Sequence, residues 1–464
     1  MLKTVEQSNE ASENPHFITR IIQRRYYLQK TYSWWVVLVL SAASLIGWLD
    51  RQVLNLLVEP IKHALNATDA QIGLLQGLAV AIFYLLVALP IGRLADRLNR
   101  RNIVIIGTIC WTCATFASGL TAVFFSLFVA RAFVGIGEAT LTPCGFSIIS
   151  DYFPADALAR PLSVFTCASF VGSGAALFLG GAVLSFLNAA NGLTMPIVGH
   201  VAPWQAAFML VSLPGVLVLL LLPTIAEPPR RARVDGMAAD TPKSLRDVYV
   251  FLAQNSRLFF CLLSGMALLA ASSFALNAWV PSFFIRTFGW SSSQVGRDYG
   301  IVTMIFGTSG VLAGGYLTDK LAAYGYKSPN LIVIICSGLL SLPLSLLFPL
   351  VASDRLSFLL LIPLVFCSTM PFGAGPATIP VITPNGMRGL IVSLYLLVVT
   401  LIGALGPLFV GVITTYIFHD AASLRYALSI VILLLVAGGT GLLALAMTPY
   451  AQLFSHLQYM ENKS

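Results

Sequence analysis

The sequence predicts an all-α polytopic membrane protein with twelve transmembrane helices in two six-helix bundles. Three observations carry this reading. Only 10% of the 464 residues are Asp, Glu, Lys or Arg and 57% are hydrophobic, for a mean hydropathy of +0.85. The chain divides into twelve apolar runs, each near the roughly 20 residues that a membrane crossing requires. A short motif at the end of the second run recurs at the end of the eighth, as two copies of a six-helix unit would give. A soluble domain carries about 25% charged residues. The composition therefore excludes a soluble enzyme, a disordered scaffold and a disulfide-stapled secreted domain.

The elements follow in order. An N-terminal segment, 1–32, is polar and acidic at its start and has no apolar signal region, so no cleavable signal peptide is expected. Its stretch 17–30 (FITRIIQRRYYLQK) suits either a basic interfacial helix or the positive flank of the first span. The first bundle, 33–223, holds runs at 33–58, 72–94, 102–120, 124–150, 161–187 and 204–223. A hydrophilic linker, 224–257, follows, with three arginines within four residues and one expected surface helix at 244–254. The second bundle, 258–448, holds runs at 258–284, 299–317, 330–351, 356–382, 389–418 and 424–447, and a tail, 449–464, closes the chain.

The net charge of +8 reports topology. An even number of spans places both termini on one side. Twenty Lys and Arg residues fall on that side, five on the other and two inside spans. The positive-inside rule then puts the termini and linker in the cytoplasm of an inner- or plasma-membrane protein, and a nucleic-acid partner is not expected. The seven cysteines all lie in apolar runs, where a disulfide framework has no use. The Cys110-x-x-Cys113 spacing there reads as packing. The five histidines are expected in loops or tails, and no metal, haem or other cofactor is indicated.

Inside the spans, charge is the informative exception, because a charged side chain at mid-membrane costs roughly 2.5–3.5 kcal/mol on insertion scales. Asp50 and Arg51 stand in the first run, Arg131 and Glu138 in the fourth, and their formal charges cancel. Arg131 and Glu138, seven apart, project from one helix face, whereas Asp50 and Arg51 diverge by about 100°. Two acids beside two arginines form a coupled group. Protonating one acid frees an arginine and leaves the site net positive, which favours an anionic ligand. A structural salt-bridge cluster is the alternative.

The recurring motif is Gly92-Arg-Leu-Ala-Asp96-Arg97-Leu98 and Gly315-Tyr-Leu-Thr-Asp319-Lys320-Leu321. The segment 92–101 (GRLADRLNRR) resembles the span 2–3 loop signature of the major facilitator superfamily. Arg131-x3-Gly135-x-Gly137-Glu138 resembles that superfamily's span 4 motif. The resemblance implies the major facilitator fold and a cytoplasmic gate at Gly92, Asp96, Arg97, Arg101 and Asp319; a monomer is expected. The superfamily's antiport-associated glycines are only partly present: no proline follows Gly174, and Gly406-Pro407 carries that dipeptide in span 11 instead.

Gly47-Trp-Leu-Asp50-Arg51 together with Gly135-Ile-Gly137-Glu138-Ala139 resembles the Spinster family of lipid transporters, in a bacterial-type form with compact loops. That resemblance implies proton-linked or facilitated movement of sphingosine-1-phosphate, sphingolipids or lysophospholipids, with Asp50, Arg131 and Glu138 in proton coupling. The Asp50-Arg51 pair also resembles organic-anion symporters of the same superfamily. By superfamily analogy spans 1, 4, 7 and 10 line the cavity. Spans 7 and 10 carry no charge, only Ser264, Ser272, Ser273, Asn277, Ser368 and Thr369 with Phe274, Trp279, Phe366 and Phe372. The expected substrate contacts are thus Arg51 and Arg131 for a charged head, and Ser272, Ser273, Asn277 and Thr369 on the opposing wall.

The expectation is a transporter, not an enzyme. It works by alternating access on an amphiphilic anionic lipid, is driven by the proton gradient and is embedded in membrane lipid. A small organic anion or drug is the alternative cargo. A non-transporting sensor or scaffold is the alternative class.

Overall fold

The computed structural model describes residues 15–153, 157–195, 199–228 and 245–461. Eleven helices among them are long and apolar enough to cross a membrane. A twelfth, the 19-residue Arg100–Ser118, is too polar for that measure, with two arginines at its start and Thr108, Thr112, Thr115 and Ser118 buried along it. Large apolar side chains left exposed on many spans, among them Leu38, Ile106, Phe125, Leu220 and Leu434, form the surface that a bilayer covers.

α1 (Pro15–Leu56) is one continuous 42-residue helix, so the basic stretch before the first span and the span itself are a single rod. α2 (Val58–Leu65) ends at Asn66 in the left-handed region, φ 50°. Thr68 then starts α3 (Asp69–Gln76) with a reciprocal capping box: its hydroxyl accepts from the Gln71 amide at 3.2 Å, and the Gln71 carboxamide accepts from the Thr68 amide at 2.8 Å. Gly77 breaks the helix, and α4 (Leu78–Arg97) completes the second span.

α5 (Arg100–Ser118) is N-capped by Asn99, whose side chain accepts from the Asn102 amide. α6 (Phe124–Glu138) and α7 (Leu141–Tyr152) share the fourth span, interrupted at residues 139–140. α8 (Ala159–Ala189) is the fifth. A short antiparallel hairpin, β1 (Leu193–Met195) on β2 (Gly199–Val201), precedes α9 (Pro203–Leu221). The hairpin departs from the all-helical expectation. Gly192 and Gly199, at φ 91° and 78°, turn the chain where L-residues are disfavoured.

Of the linker, residues 229–244 lie outside the described part. α10 (Leu245–Gln254) lies where a surface helix was expected, and α11 (Ser256–Phe288) is the seventh span. α12 (Ser292–Val302), a π-turn at Thr303–Gly307 and α13 (Thr308–Ala323) make the eighth. α14 (Pro329–Leu350) and α15 (Asp354–Ala374) follow, then the single turn α16 (Thr378–Val381). α17 (Asn385–Gly403) and α18 (Leu405–Val412) form the eleventh, and α19 (Leu424–Glu461) is the last. α19 runs as helix through the stretch expected as a tail, as far as Glu461. His16, His63 and His456, expected in loops or tails, lie on α1, α2 and α19.

The two bundles meet through glycines. A Cβ on Gly73 or Gly77 would collide with the backbone of Pro407 or Ala404, and one on Gly411 with Asp69. The second and eleventh spans therefore touch backbone to backbone. Gly174 and Gly181 of α8 lie likewise against Gly300 and Gly296 of α12. Small residues at such crossings are what membrane helix packing selects.

Candidate functional site: a central cavity between the bundles

Between the bundles lies a cavity of about 390 Å³. α1 supplies one stripe of it, Ser44, Gly47, Trp48, Arg51, Gln52 and Asn55, spaced three and four apart so that all project from one helix face. Gln76, Val80, Ala81 and Tyr84 of the second span adjoin them, with Glu138 and Thr142 of the fourth and Ser169, Phe170 and Ser173 of α8. The second bundle contributes Ser273, Phe274 and Asn277 of α11, Thr303 and Gly307 at the π-turn, Thr369 and Phe372 of α15, and Thr400. π-turns inside α-helices recur at functional sites, and here one lies in the cavity wall.

The four charges inside the spans form two tiers. In the cavity, the Arg51 guanidinium donates to the Glu138 carboxylate. The two side chains keep 28% and 10% exposure, so this pair opens onto the cavity. Arg51 also lies over the Trp48 ring, 5.1 Å from its centroid. Glu138 reaches the cavity because α6 ends on it: Thr140 turns back to donate to the Gly137 carbonyl at 2.9 Å, and the helix breaks there.

Behind this wall lie Asp50 and Arg131, 1% and 0% exposed. Asp50 accepts from the Thr115 hydroxyl at 3.1 Å, and Arg131 donates to the Asp50 backbone carbonyl at 3.3 Å, not to its carboxylate. The Arg131 guanidinium stands 5.9 Å over the Phe208 ring. One carboxylate oxygen of Asp50, one of Glu138, and Nε and Nη2 of Arg131 are buried without a hydrogen-bond partner. Unmade bonds on buried charged groups are costly. The tier therefore holds donors and acceptors that a small rearrangement can pair.

The opposing wall is apolar with hydroxyls and one amide. Phe274 and Phe372 stack with centroids 6.3 Å apart and planes 7° off parallel, and Phe170 meets Phe372 edge-on from the other bundle. Ser273, Asn277 and Thr369 line the cavity as the sequence suggested. Ser272 does not: its hydroxyl donates to the Leu269 carbonyl, and it lines a small void between α11, α14, α15 and α19. Arg131 is likewise absent from the cavity surface. Trp279 is fully buried and donates to the Pro407 carbonyl across 2.9 Å.

The bundles are tied at one end by an ion cluster that sequence reasoning had counted only as loop charge. Arg286, in the last turn of α11, donates to both oxygens of Asp69 at 2.9 Å and to Glu59 at 2.7 Å. Lys62 adds a bond to Asp69 at 2.7 Å. Arg286 and Asp69 are only 8% and 3% exposed, and the two-pronged guanidinium–carboxylate pair is the strong kind. Thr415 of the second bundle also accepts from the Ala70 amide at 3.0 Å.

At the other end, where α4 gives way to α5, the motif residues make a different set of contacts. Arg100 is the hub, donating to Glu227 at 2.7 Å, Asp151 at 2.5 Å, Ser147 at 2.8 Å and the Pro228 carbonyl at 3.2 Å. The Arg101 guanidinium reaches the Ile225 carbonyl. All of these partners belong to the first bundle and the start of the linker. Gly92 has open space around it, and Arg97 and Asp319 are exposed. The Asp96 side chain lies outside the described part. The gate residues predicted from the motif thus make no described bond between the bundles here, while Arg286 does.

Arg286 was readable as a cation two residues past the end of the seventh apolar run. Gln52, Asn55 and Gln76 were readable as amides inside spans. Arg100, among four arginines in a loop, gave no signal that set it apart.

Two six-helix bundles around a central cavity that carries an intramembrane charge pair, tied at one end by the Arg286 cluster, define a membrane transporter. The Major Facilitator Superfamily profile matches residues 40–407, and the chain belongs to that superfamily. Over 409 residues it is 28% identical to an MFS-type efflux pump of Mycolicibacterium smegmatis, covering 87% of this chain and 89% of that one. It is 28% identical over 354 residues to protein spinster homolog 1 of Xenopus laevis, covering 72% of this chain and 62% of the relative, so the match spans about three fifths of that protein. A crystal structure of a bacterial homolog of the human lysosomal transporter Spinster, inward-facing and unoccupied, superposes with a TM-score of 0.72 at 25% identity, covering 91% of this chain and 97% of that one.

Proposed function

We propose that the protein is a proton-coupled secondary transporter of an amphiphilic anion, a lysophospholipid or sphingosine-1-phosphate-like lipid, working by alternating access. One observation carries the reading: the cavity is charged on one wall and aromatic on the other. Arg51 and Glu138 face Phe274 and Phe372 across it. An apolar crevice of about 750 Å³ between α4 and α17, lined by Ile82, Leu85, Leu86, Pro90, Leu94, Leu397 and Leu401, adds room for an acyl chain beside it. A ligand with an anionic head and an apolar tail fits both surfaces.

In this mechanism Glu138 and the anionic head compete for Arg51. Protonating Glu138 removes its charge, releases the guanidinium and leaves the cavity net positive. Asp50 and Arg131 form the second half of the switch. Protonation of Asp50 removes the negative charge beside Arg131, whose guanidinium is then drawn toward Glu138, two turns along its own helix. The charge bias of the loops supports cytoplasmic termini, and on that reading the end tied by Arg286 is the outer one.

A small organic anion is favoured by one observation, that a cavity of about 390 Å³ suffices for a ligand without a tail. Uptake of labelled lysolipid into proteoliposomes, with an organic acid as competitor, separates the two readings. Lysolipid transport lost in Arg51→Ala supports the proposal. Wild-type-like lysolipid transport by that variant removes the head-group role.

A further inference from the structure

At the outer end of the cavity stands a cluster of four carboxamides, Gln52, Asn55, Gln76 and Asn277, contributed by three spans of both bundles. Backbone carbonyls fix which way three of them point. Gln76 Nε2 donates to the Ala278 carbonyl at 2.9 Å, Asn55 Nδ2 to the Asn277 carbonyl at 3.2 Å, and Asn277 Nδ2 to the Ser273 carbonyl at 3.2 Å. A carbonyl only accepts, so each of these amides must present its NH₂ there and turn its oxygen elsewhere. Asn55 spends its oxygen on Gln76 Nε2 at 3.1 Å, and Gln52 accepts from Asn55 at 2.5 Å. Two oxygens remain, Gln76 Oε1 and Asn277 Oδ1. Both are buried in residues that line the cavity, and neither has a hydrogen-bond partner.

We infer that this cluster is a subsite for hydrogen-bond donors on the ligand head, a hydroxyl or an ammonium group. Two orphaned neutral acceptors, one from each bundle, ask for a group carrying at least two polar hydrogens. The subsite is placed to work with Arg51: Asn55 lies four residues along α1, on the same face and one turn, about 6 Å, further out. A phosphate held at Arg51 would set a donor four bonds from phosphorus, as in an ethanolamine or glycerol head, against the amides. A trimethylated head cannot satisfy them and leaves both oxygens desolvated and unpaired.

The subsite also explains why occupancy would favour the state seen here. The Gln76–Ala278 and Asn55–Asn277 bonds run from the first bundle to the second, so opening the outer end must break them. A donor bridging Gln76 and Asn277 adds a bond across the same seam.

The inference rests on the amphiphile reading, and one experiment separates the two. Equilibrium binding of lysophosphatidylethanolamine, lysophosphatidylglycerol and lysophosphatidylcholine of one chain length is measured on the full-length protein in nanodiscs. The subsite predicts that the ethanolamine or glycerol head binds about tenfold or more tighter than the choline head, the worth of a hydrogen bond to a buried acceptor. Gln76→Leu combined with Asn277→Leu brings that ratio to about one. Asn277→Asp, which keeps shape, shifts preference toward the ethanolamine head if the donor is an ammonium and leaves the glycerol head ahead if it is a hydroxyl. Equal binding of all three heads by the wild type, or a ratio that survives the double substitution, overturns the subsite alone. Binding of none of the three overturns the amphiphile reading and takes the subsite with it.

Discussion

Replacing Arg286 by Met should swing the protein toward a state open at the end where Glu59, Asp69 and Arg286 meet. The side chain makes three charge-assisted bonds across the seam, two to Asp69 at 2.9 Å and one to Glu59 at 2.7 Å, in a setting where both Arg286 and Asp69 are nearly buried. Removing one partner of a buried, hydrogen-bonded charge pair costs about 2–5 kcal/mol. Lys62 stays on Asp69 at 2.7 Å, so the lower part of that range applies, about 2–3 kcal/mol. At 1.4 kcal/mol per factor of ten, the equilibrium moves roughly 30- to 140-fold. The variant also leaves two carboxylates, Glu59 and Asp69, sharing one cation, which pushes the same way. Spin labels at Asn66 and Asp420, exposed on opposite bundles at this end, report the distance by pulsed dipolar spectroscopy. A longer-distance population that is minor in the wild type should become prominent in Arg286→Met. An unchanged distribution would show that glycine-mediated packing holds this end shut and that the ion cluster contributes nothing to it.

Other outcomes follow from the same geometry. Glu138→Gln frees Arg51 permanently: anionic ligand should bind at least as tightly as to the wild type at low pH, and the gain on lowering pH should disappear. Asp50→Asn with Glu138→Gln should abolish pH-gradient-driven accumulation while exchange persists; accumulation that survives places the proton site elsewhere. Arg100→Ala leaves Asp151 and Glu227 without their shared cation, and because truncating a buried pair costs about 3–5 kcal/mol, thermal unfolding in detergent should shift well below that of the wild type. Gly77→Val drives a side chain into the Ala404 backbone and should impair transport of every substrate alike, measured as a drop in maximal rate with little change in apparent affinity.

How much of this was legible in the sequence follows from what kind of force fixes each feature. Span positions depend on hydropathy over many residues, so most were readable to within a few residues, whereas the eighth begins seven residues earlier, at Ser292, and the last helix runs on to Glu461. The intramembrane charges stood out because each is individually expensive in hydrocarbon. Their pairing was not readable. Helical period says that Asp50 and Arg51 diverge, but only the break of the fourth span at residues 139–140 decides that Glu138 meets Arg51 and that Arg131 is left behind the wall. The motif at 92–101 pointed to a gate at one end, whereas among the described residues the bonds between bundles lie at the other, since alternating access closes one end at a time and a sequence does not say which. Gln76 and Asn277 were unremarkable as single amides. Their meaning comes from backbone carbonyls on the other bundle that fix their orientation. The hairpin at 193–201 was hidden because three-residue strands carry too little pattern to read.

The central claim, that an amphiphilic anion crosses through the cavity by displacing Glu138 from Arg51, is tested most directly by lysolipid transport in proteoliposomes with and without an imposed pH gradient. The account predicts gradient-driven accumulation by the wild type, gradient-independent equilibration by the Asp50→Asn/Glu138→Gln double variant, and loss of transport by Arg51→Ala. Accumulation by the double variant equal to that of the wild type, or undiminished transport by Arg51→Ala, would contradict it.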